Sequence, residues 1–191
     1  HVRLTNKSKQ IASHNTTTKG LTMASTNYYD QIALGYDRLH RGEQRGKFRK
    51  FVTLSGCKLG PTSMLLDVGC GSGVACEFYK SPVVFGIDPS GGLLERSPAH
   101  VVKGGGEALP YKDSLFELVI SVTALQNFTD PILGLEEMLR VGQSKFVITI
   151  LKRGKDTEKL QRVRDHIAKR FVIDKEIDDQ HDFIYVLTRK N

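Results

Sequence analysis

The sequence predicts an α/β fold: seven strands in a mostly parallel sheet, helices on both faces, and an antiparallel hairpin at the C-terminal end. Three observations predict it. Short apolar runs alternate with helical stretches between residues 63 and 151. The first run empties into a glycine-rich turn, LLDVGCGSG at 65–73. The last two runs are joined by a short polar segment instead of a helix. Buried strands that alternate with helices need a parallel sheet covered on both sides, and two runs joined by a polar turn read as a hairpin.

The elements follow in order. NYYDQIALGYDRL (27–39) spaces Tyr28, Ile32 and Tyr36 along one helical face, weakened by Gly35. A second helix is expected over 43–54, with Phe48, Phe51 and Val52 inward and Gly56, Gly60 and Pro61 ending it. The strands are SMLLDV (63–68), VVFGID (83–88), HVVK (100–103), FELVIS (116–121) and KFVITIL (145–151). Helices are expected between them over 73–79, 92–96 and 131–140. DTEKLQRVRDHIAKRF (156–171) is amphipathic, with Leu160, Val163, Ile167 and Phe171 at helical spacing. FVIDKEI and DFIYVLT, separated by DDQH, form the hairpin. Residues 1–22 are polar, rich in Thr, Lys, Asn and Ser, and aperiodic. They read as a disordered leader ahead of a single domain over 23–191.

The chain has 191 residues, a net charge of +7 and 39% apolar residues, which suits one domain with a full core. A basic balance favours anionic partners, nucleic acid first. The charge concentrates in RGEQRGKFRK (41–50) and in KRGKDTEKLQRVRDHIAKR (152–170), where Lys and Arg interleave with acids. Solvated helix faces are the plainer account, and contact with RNA or a ribonucleoprotein through these basic helices is the alternative. Cys57, Cys70 and Cys76 fit neither a zinc site nor a disulfide framework, so free thiols in a reducing, cytoplasmic setting are expected. No apolar run approaches a membrane span and the N-terminal segment lacks a signal-peptide core. The six histidines show no metal-ligand spacing with Cys, Asp or Glu.

The glycine turn carries the functional signal. A strand ending near Asp67, then Gly69, Gly71 and Gly73, then a helix, is a Rossmann-like nucleotide-binding arrangement. Glycine lets main chain approach a ligand with no Cβ in the way. The spacing is G-x-G-x-G, without the third glycine of a dinucleotide fingerprint and without the G-K-[ST] of a phosphate loop. A ligand that lacks phosphates is therefore favoured over a pyrophosphate. The next strand ends in Asp88, where an acid can accept both hydroxyls of a ribose. Capping of the turn at Pro89 and Ser90 is the structural alternative.

LLDVGCGSG, VVFGIDPS, GGGEALPYKDSLFELVIS and EEMLRV, in this order and at this spacing, resemble the class I S-adenosylmethionine-dependent methyltransferases. The resemblance is to the ubiquinone/menaquinone-biosynthesis-type branch and its short archaeal-like relatives, and covers about residues 27–188. It implies a seven-stranded sheet with one antiparallel strand inserted near the end, and S-adenosyl-L-methionine as cofactor. It implies that Asp67 and the backbone of Gly69, Gly71 and Gly73 hold the methionine half. Asp88 takes the ribose, and Pro89 and Ser90 flank the adenine. Gly106, Glu107 and Ala108 match the adenine-edge segment. An acid usual in the family is replaced by Gly105, with Glu107 or a backbone carbonyl the substitute. Ser121 begins the loop that borders the methyl group and the acceptor. Tyr28 and Tyr36 belong to a helix resembling the lid over the cofactor.

The implied activity is methyl transfer to an N or O acceptor on an unknown substrate, a small molecule or RNA/protein with a partner subunit. The loop after Ser121 has no N/D-P-P-Y/F sequence and no Pro-Cys pair, which disfavours exocyclic-amine and cytosine-C5 methylation. No general base stands out; Tyr36, His40 and Gln126 are the weak candidates. A small activator subunit is a family-level suggestion. Two alternatives stay open: a non-catalytic partner module that binds S-adenosylmethionine, and an NAD-binding oxidoreductase.

Overall fold

The computed structural model describes residues 35, 41–50, 52, 53, 56, 58–80, 83–152 and 157–190. The expected leader, Tyr28, Tyr36, His40, Phe51 and Cys57 lie outside the described residues.

The chain enters through a helix over 41–50 (α1). Then come β1 (Met64–Val68), α2 (Ala75–Phe78), β2 (Val83–Asp88), α3 (Gly91–Leu94), β3 (His100–Lys103) and β4 (Phe116–Ser121). A single 3₁₀ turn, Leu125–Asn127, precedes α4 (Pro131–Val141) and β5 (Gly142–Leu151). The end is α5 (Thr157–Arg170), β6 (Phe171–Asp178) and β7 (Asp182–Arg189). The seven strands lie in the order β3-β2-β1-β4-β5-β7-β6. The five strands from β3 to β5 in this order form four parallel pairs. β7 is antiparallel to β5 and to β6.

The expected hairpin is present, but it is not simply appended. β7 slots between β5 and β6, so β6 runs in the same sense as the first five strands. The insertion satisfies both long edges of β7, and its side chains from Ile184 to Leu187 are all buried. β5 starts three residues earlier than its apolar run, because Gly142 already pairs with Phe116. A side chain at 142 would meet the Phe146 ring at 2.4 Å.

Side chains alternate along the strands and build a core on each face. Leu66, Val119, Phe146 and Ile148 pack with Leu135, Met138 and Leu139 of α4 and Val163 and Ile167 of α5. Leu65, Leu118, Val147 and Ile184 face the other way, toward Phe48 of α1 and Val74, Ala75 and Tyr79 around α2. Phe48 stacks on Phe78 with ring centres 5.9 Å apart. Among the described residues, no helix is long and apolar enough to cross a membrane.

Candidate functional site

The strand order reverses between β1 and β4, so the segments leaving their carboxyl ends diverge and open a crevice there. One wall is the glycine turn. Gly69, Gly71 and Gly73 have φ of +80°, +50° and +78°, a left-handed region that only glycine enters cheaply. The three serve different ends. A Cβ at Gly69 would lie 2.3 Å from the Ala124 Cβ, and one at Gly73 would lie 2.3 Å from the Ser97 Oγ. Those two glycines let neighbouring chain pack close. At Gly71 the nearest atom is a Leu93 methyl at 3.7 Å, so packing does not demand glycine there. The Gly69 and Cys70 amides donate to the Ile87 carbonyl at 2.8 and 3.1 Å and tie the turn to β2.

Two acids flank the turn. Asp67 is 2% exposed, and its Oδ1 has no hydrogen-bond partner. Burial, and then the charge of Asp88, push its carboxyl up to about 8. Asp88 sits at the end of β2 as a bracket: Oδ2 accepts from the Gly71 amide at 3.0 Å and Oδ1 from the Ser90 amide at 2.9 Å. A carboxylate offers about four acceptor positions, and these two bonds fix its orientation at the turn. Ser90, 1% exposed, caps α3 by accepting from the Leu93 amide, while Pro89 is exposed. The capping alternative for this turn and the ligand reading of Asp88 thus coexist in one side chain.

The segment around Gly106–Leu109 is held by α4. Glu137 accepts from the Leu109 amide at 2.8 Å. Arg140 donates to the Leu109 and Tyr111 carbonyls and to Glu137 and Asp113. The Arg140 guanidinium holds the Glu137 carboxyl below its ordinary range. The EEMLRV segment is therefore a clamp, a role that linear spacing does not reveal. Gly106 is there for a packing reason: a Cβ would strike the Phe128 ring at 2.3 Å. Gly134 in α4 meets the same ring at 2.4 Å. Phe128 is thus gripped between two glycines and locks the loop after β4 to the 104–110 segment. Ala is ordinarily the better helix residue by about 1 kcal/mol; Gly134→Ala is instead expected to cost about 1–3 kcal/mol of stability through overpacking. Urea unfolding of the variant checks the sign.

Glu107 stands where the missing acid matters. Its Oε2 is 2.9 Å from the point a Cβ on Gly105 would occupy, and its Oε1 accepts from the Thr129 amide at 2.8 Å. A carboxylate is thus present at this position, supplied from two residues on. Ala108 is exposed beside it.

The opposite wall follows β4. Ser121 is fully buried and its hydroxyl donates to the Val68 carbonyl at 3.0 Å, stitching the two strand ends together. Gln126 donates from Nε2 to the Thr123 carbonyl at 2.6 Å, and its buried Oε1 has no partner. An amide oxygen is a weak base, so Gln126 suits orientation of an acceptor better than proton removal. Lys47, Thr123 and Asp182 also meet here, and no sequence motif pointed to them.

Much of the basic charge is paired with acids at the surface. Arg41 and Arg45 pair with Glu77, and Lys50 with Asp179. On α5, Arg164 pairs with Glu176, while Arg170 and His166 share Glu136. Among the described residues no group of three or more His, Cys, Asp or Glu is placed to hold a metal ion. Buried Cys70 and half-buried Cys76 are free thiols.

Comparison with known proteins agrees with this geometry. Residues 66–148 match the family model of a methyltransferase domain. The chain is 31% identical over 122 residues to a demethylmenaquinone methyltransferase of Renibacterium salmoninarum, covering 59% of this chain and 52% of that protein. It thus spans about half the length of the curated relatives it matches. Among solved structures, magnesium protoporphyrin IX methyltransferase of Synechocystis, with bound SAH, superposes with a TM-score of 0.71 at 12% identity, covering 88% of this chain and 99% of that one. A putative methyltransferase of Haloferax volcanii, solved in complex with the Trm112 methyltransferase activator, gives 0.68 at 16% identity over 85% and 98%. The crevice between β1 and β4 therefore lies in the segment that matches a methyltransferase-domain model, and the chain shares the seven-stranded fold of these solved methyltransferases.

Proposed function

We propose that the protein is an S-adenosyl-L-methionine-dependent methyltransferase acting on a small, quinone-type acceptor. The observation that carries the cofactor assignment is Asp67: a buried carboxyl with an unpartnered oxygen at the end of β1, beside a glycine turn whose middle residue has only a Leu93 methyl at ordinary contact distance. A buried acid with nothing to bond is costly unless a ligand completes it. An ammonium group does so, and the methionine half of the cofactor carries one. In this reading the Gly69–Gly73 main chain lines the methionine half, Asp88 holds the ribose, and Pro89, Ser90, Gly106, Glu107 and Ala108 border the adenine. Ser121 acts through its bond to Val68, keeping the crevice walls in register. The cofactor supplies an activated methyl group. The chain aligns the acceptor with it and excludes water, and positioning of that kind is worth roughly 7–11 kcal/mol.

The demethylmenaquinone relative supports a quinone-type acceptor. The pairing of Arg41, Arg45, Lys50, Arg164 and Arg170 with acids supports a small molecule over RNA. The sequence reading named N or O as the acceptor atom, whereas the quinone-pathway relatives support a ring carbon or an oxygen. The Haloferax neighbour, solved with an activator, supports a small activator subunit as partner.

Calorimetry with S-adenosylhomocysteine and with NAD tests the cofactor: saturable heat with the first and none with the second is expected, and the reverse overturns the reading. Tritiated methyl transfer into cell extract, sorted into lipid-soluble, RNA and protein fractions, tests the acceptor. Label in the lipid-soluble fraction supports a quinone, and label confined to RNA or protein replaces it.

A further inference from the structure

We infer that Lys47 is a positioning residue for methyl transfer, acting through the backbone of Thr123. Three elements far apart in sequence meet at this lysine. It lies on α1 with its side chain only 7% exposed. Its ammonium is 2.8 Å from an oxygen of Asp182, the first residue of β7, which is 1% exposed. It donates to the Thr123 hydroxyl at 3.1 Å, in the loop after β4, and lies 3.0 Å from Glu43 one turn back. The ammonium thus lies within 3.1 Å of three oxygens, one on each of three segments. The contact with Asp182 is an ion pair without hydrogen-bond alignment, since neither Asp182 oxygen has a donor aimed at it.

Thr123 has φ of +54°. A β-branched residue in the left-handed region is an outlier that persists only where its surroundings fix it. Here they do so from three sides. The amide donates to the hydroxyl of Thr149 on β5 at 2.8 Å, the carbonyl accepts from Gln126, and the hydroxyl accepts from Lys47. Thr149 is itself fully buried. A buried ion pair is a poor source of stability, because apolar residues of similar size commonly do as well. A methionine could fill the space of Lys47, but it could not donate to Thr123. The pair therefore serves to hold the loop in its strained shape. That loop leaves β4 at the crevice and carries Gln126, so its shape decides how an acceptor sits against the methyl group. This role rests on the crevice being the methyl-transfer site.

The test separates holding from mere packing. S-adenosylhomocysteine affinity is measured by calorimetry. Initial methyl incorporation into clarified cell extract is measured with saturating tritiated S-adenosylmethionine. In Lys47→Met, affinity is expected within about threefold of the parent, while the transfer rate falls at least about tenfold, the scale of a small misplacement. Glycine adopts the left-handed shape unaided, so adding Thr123→Gly to Lys47→Met is expected to restore at least about half of the lost rate on a logarithmic scale. A purely structural lysine would not be rescued by a glycine in another element. Lys47→Met combined with Asp182→Asn, which removes the buried charge left unpaired, serves with the same expectations if Lys47→Met alone does not fold. A Lys47→Met rate within about threefold of the parent, or a double variant as slow as the single one, overturns the inference and leaves the cofactor reading standing. A parent protein that neither binds S-adenosylhomocysteine nor transfers label overturns both.

Discussion

Asp88→Ala is expected to weaken S-adenosylhomocysteine binding by about 1.5–3 kcal/mol, the range for hydrogen bonds to a charged group. That corresponds to roughly a 10- to 150-fold rise in Kd. Two losses combine. The ribose hydroxyls lose their acceptor, and the amides of Gly71 and Ser90, now bonded to the two carboxylate oxygens, lose theirs. The second loss also acts without ligand, so the variant is expected to unfold at lower urea by an amount worth about 1–2 kcal/mol. Asp88→Asn separates the contributions. It keeps one acceptor oxygen for a backbone amide but turns an amino group toward the other partner. It is therefore expected to retain most of the stability and to lose most of the affinity. If calorimetry shows unchanged affinity in Asp88→Ala while stability falls, Asp88 is only the bracket of the glycine turn and the ribose must be held elsewhere.

The strands were legible because each apolar run is short, rich in β-branched residues and bounded by turn residues. All seven fall where the pattern puts them, within three residues at the ends. The glycine turn was legible as a turn, but the reason for each glycine was not. Gly69 answers to Ala124 and Gly73 to Ser97, both more than twenty positions later in the chain, while no close packing accounts for Gly71. Glu107 or a backbone carbonyl was named as the substitute for an acid at 105; Glu107 Oε2 lies 2.9 Å from where a Cβ on Gly105 would be. Gly106 was read as ligand-facing; its neighbour is the Phe128 ring, a contact set by the fold. The buried lysine was hidden most deeply. In RGEQRGKFRK, Lys47 is indistinguishable from the basic residues around it, and its partners Thr123 and Asp182 come from separate strands' ends. Charge pattern records local composition, whereas burial of a charge depends on what folds over it.

Asp67 offers the sharpest test of what the pocket is for. Its carboxyl is held at about 8 instead of its ordinary 3.8, first by burial and then by the charge of Asp88. Between those two values the folded protein keeps a proton that the unfolded chain has released. Stability of the ligand-free protein is therefore expected to fall as pH rises from about 4 through 8, because deprotonation there favours the unfolded state. Asp67→Asn removes that slope and is expected to be the more stable protein at pH 8. Binding runs the other way. An ammonium partner favours the carboxylate, so binding near pH 7 is expected to expel most of one proton, and affinity to climb with pH until it flattens near 8. Calorimetry in phosphate and in Tris, which differ in ionisation heat, reads that proton directly. Asp67→Asn, run in parallel, subtracts the titration of the ligand's own amino group. The variant is expected to bind weakly and without the proton, although it is the sturdier fold. Buffer-independent heat in the parent protein would mean that nothing cationic meets Asp67. A buried acid that cost the fold stability would then have no compensating ligand, and the methionine half would have to lie on another face of the glycine turn.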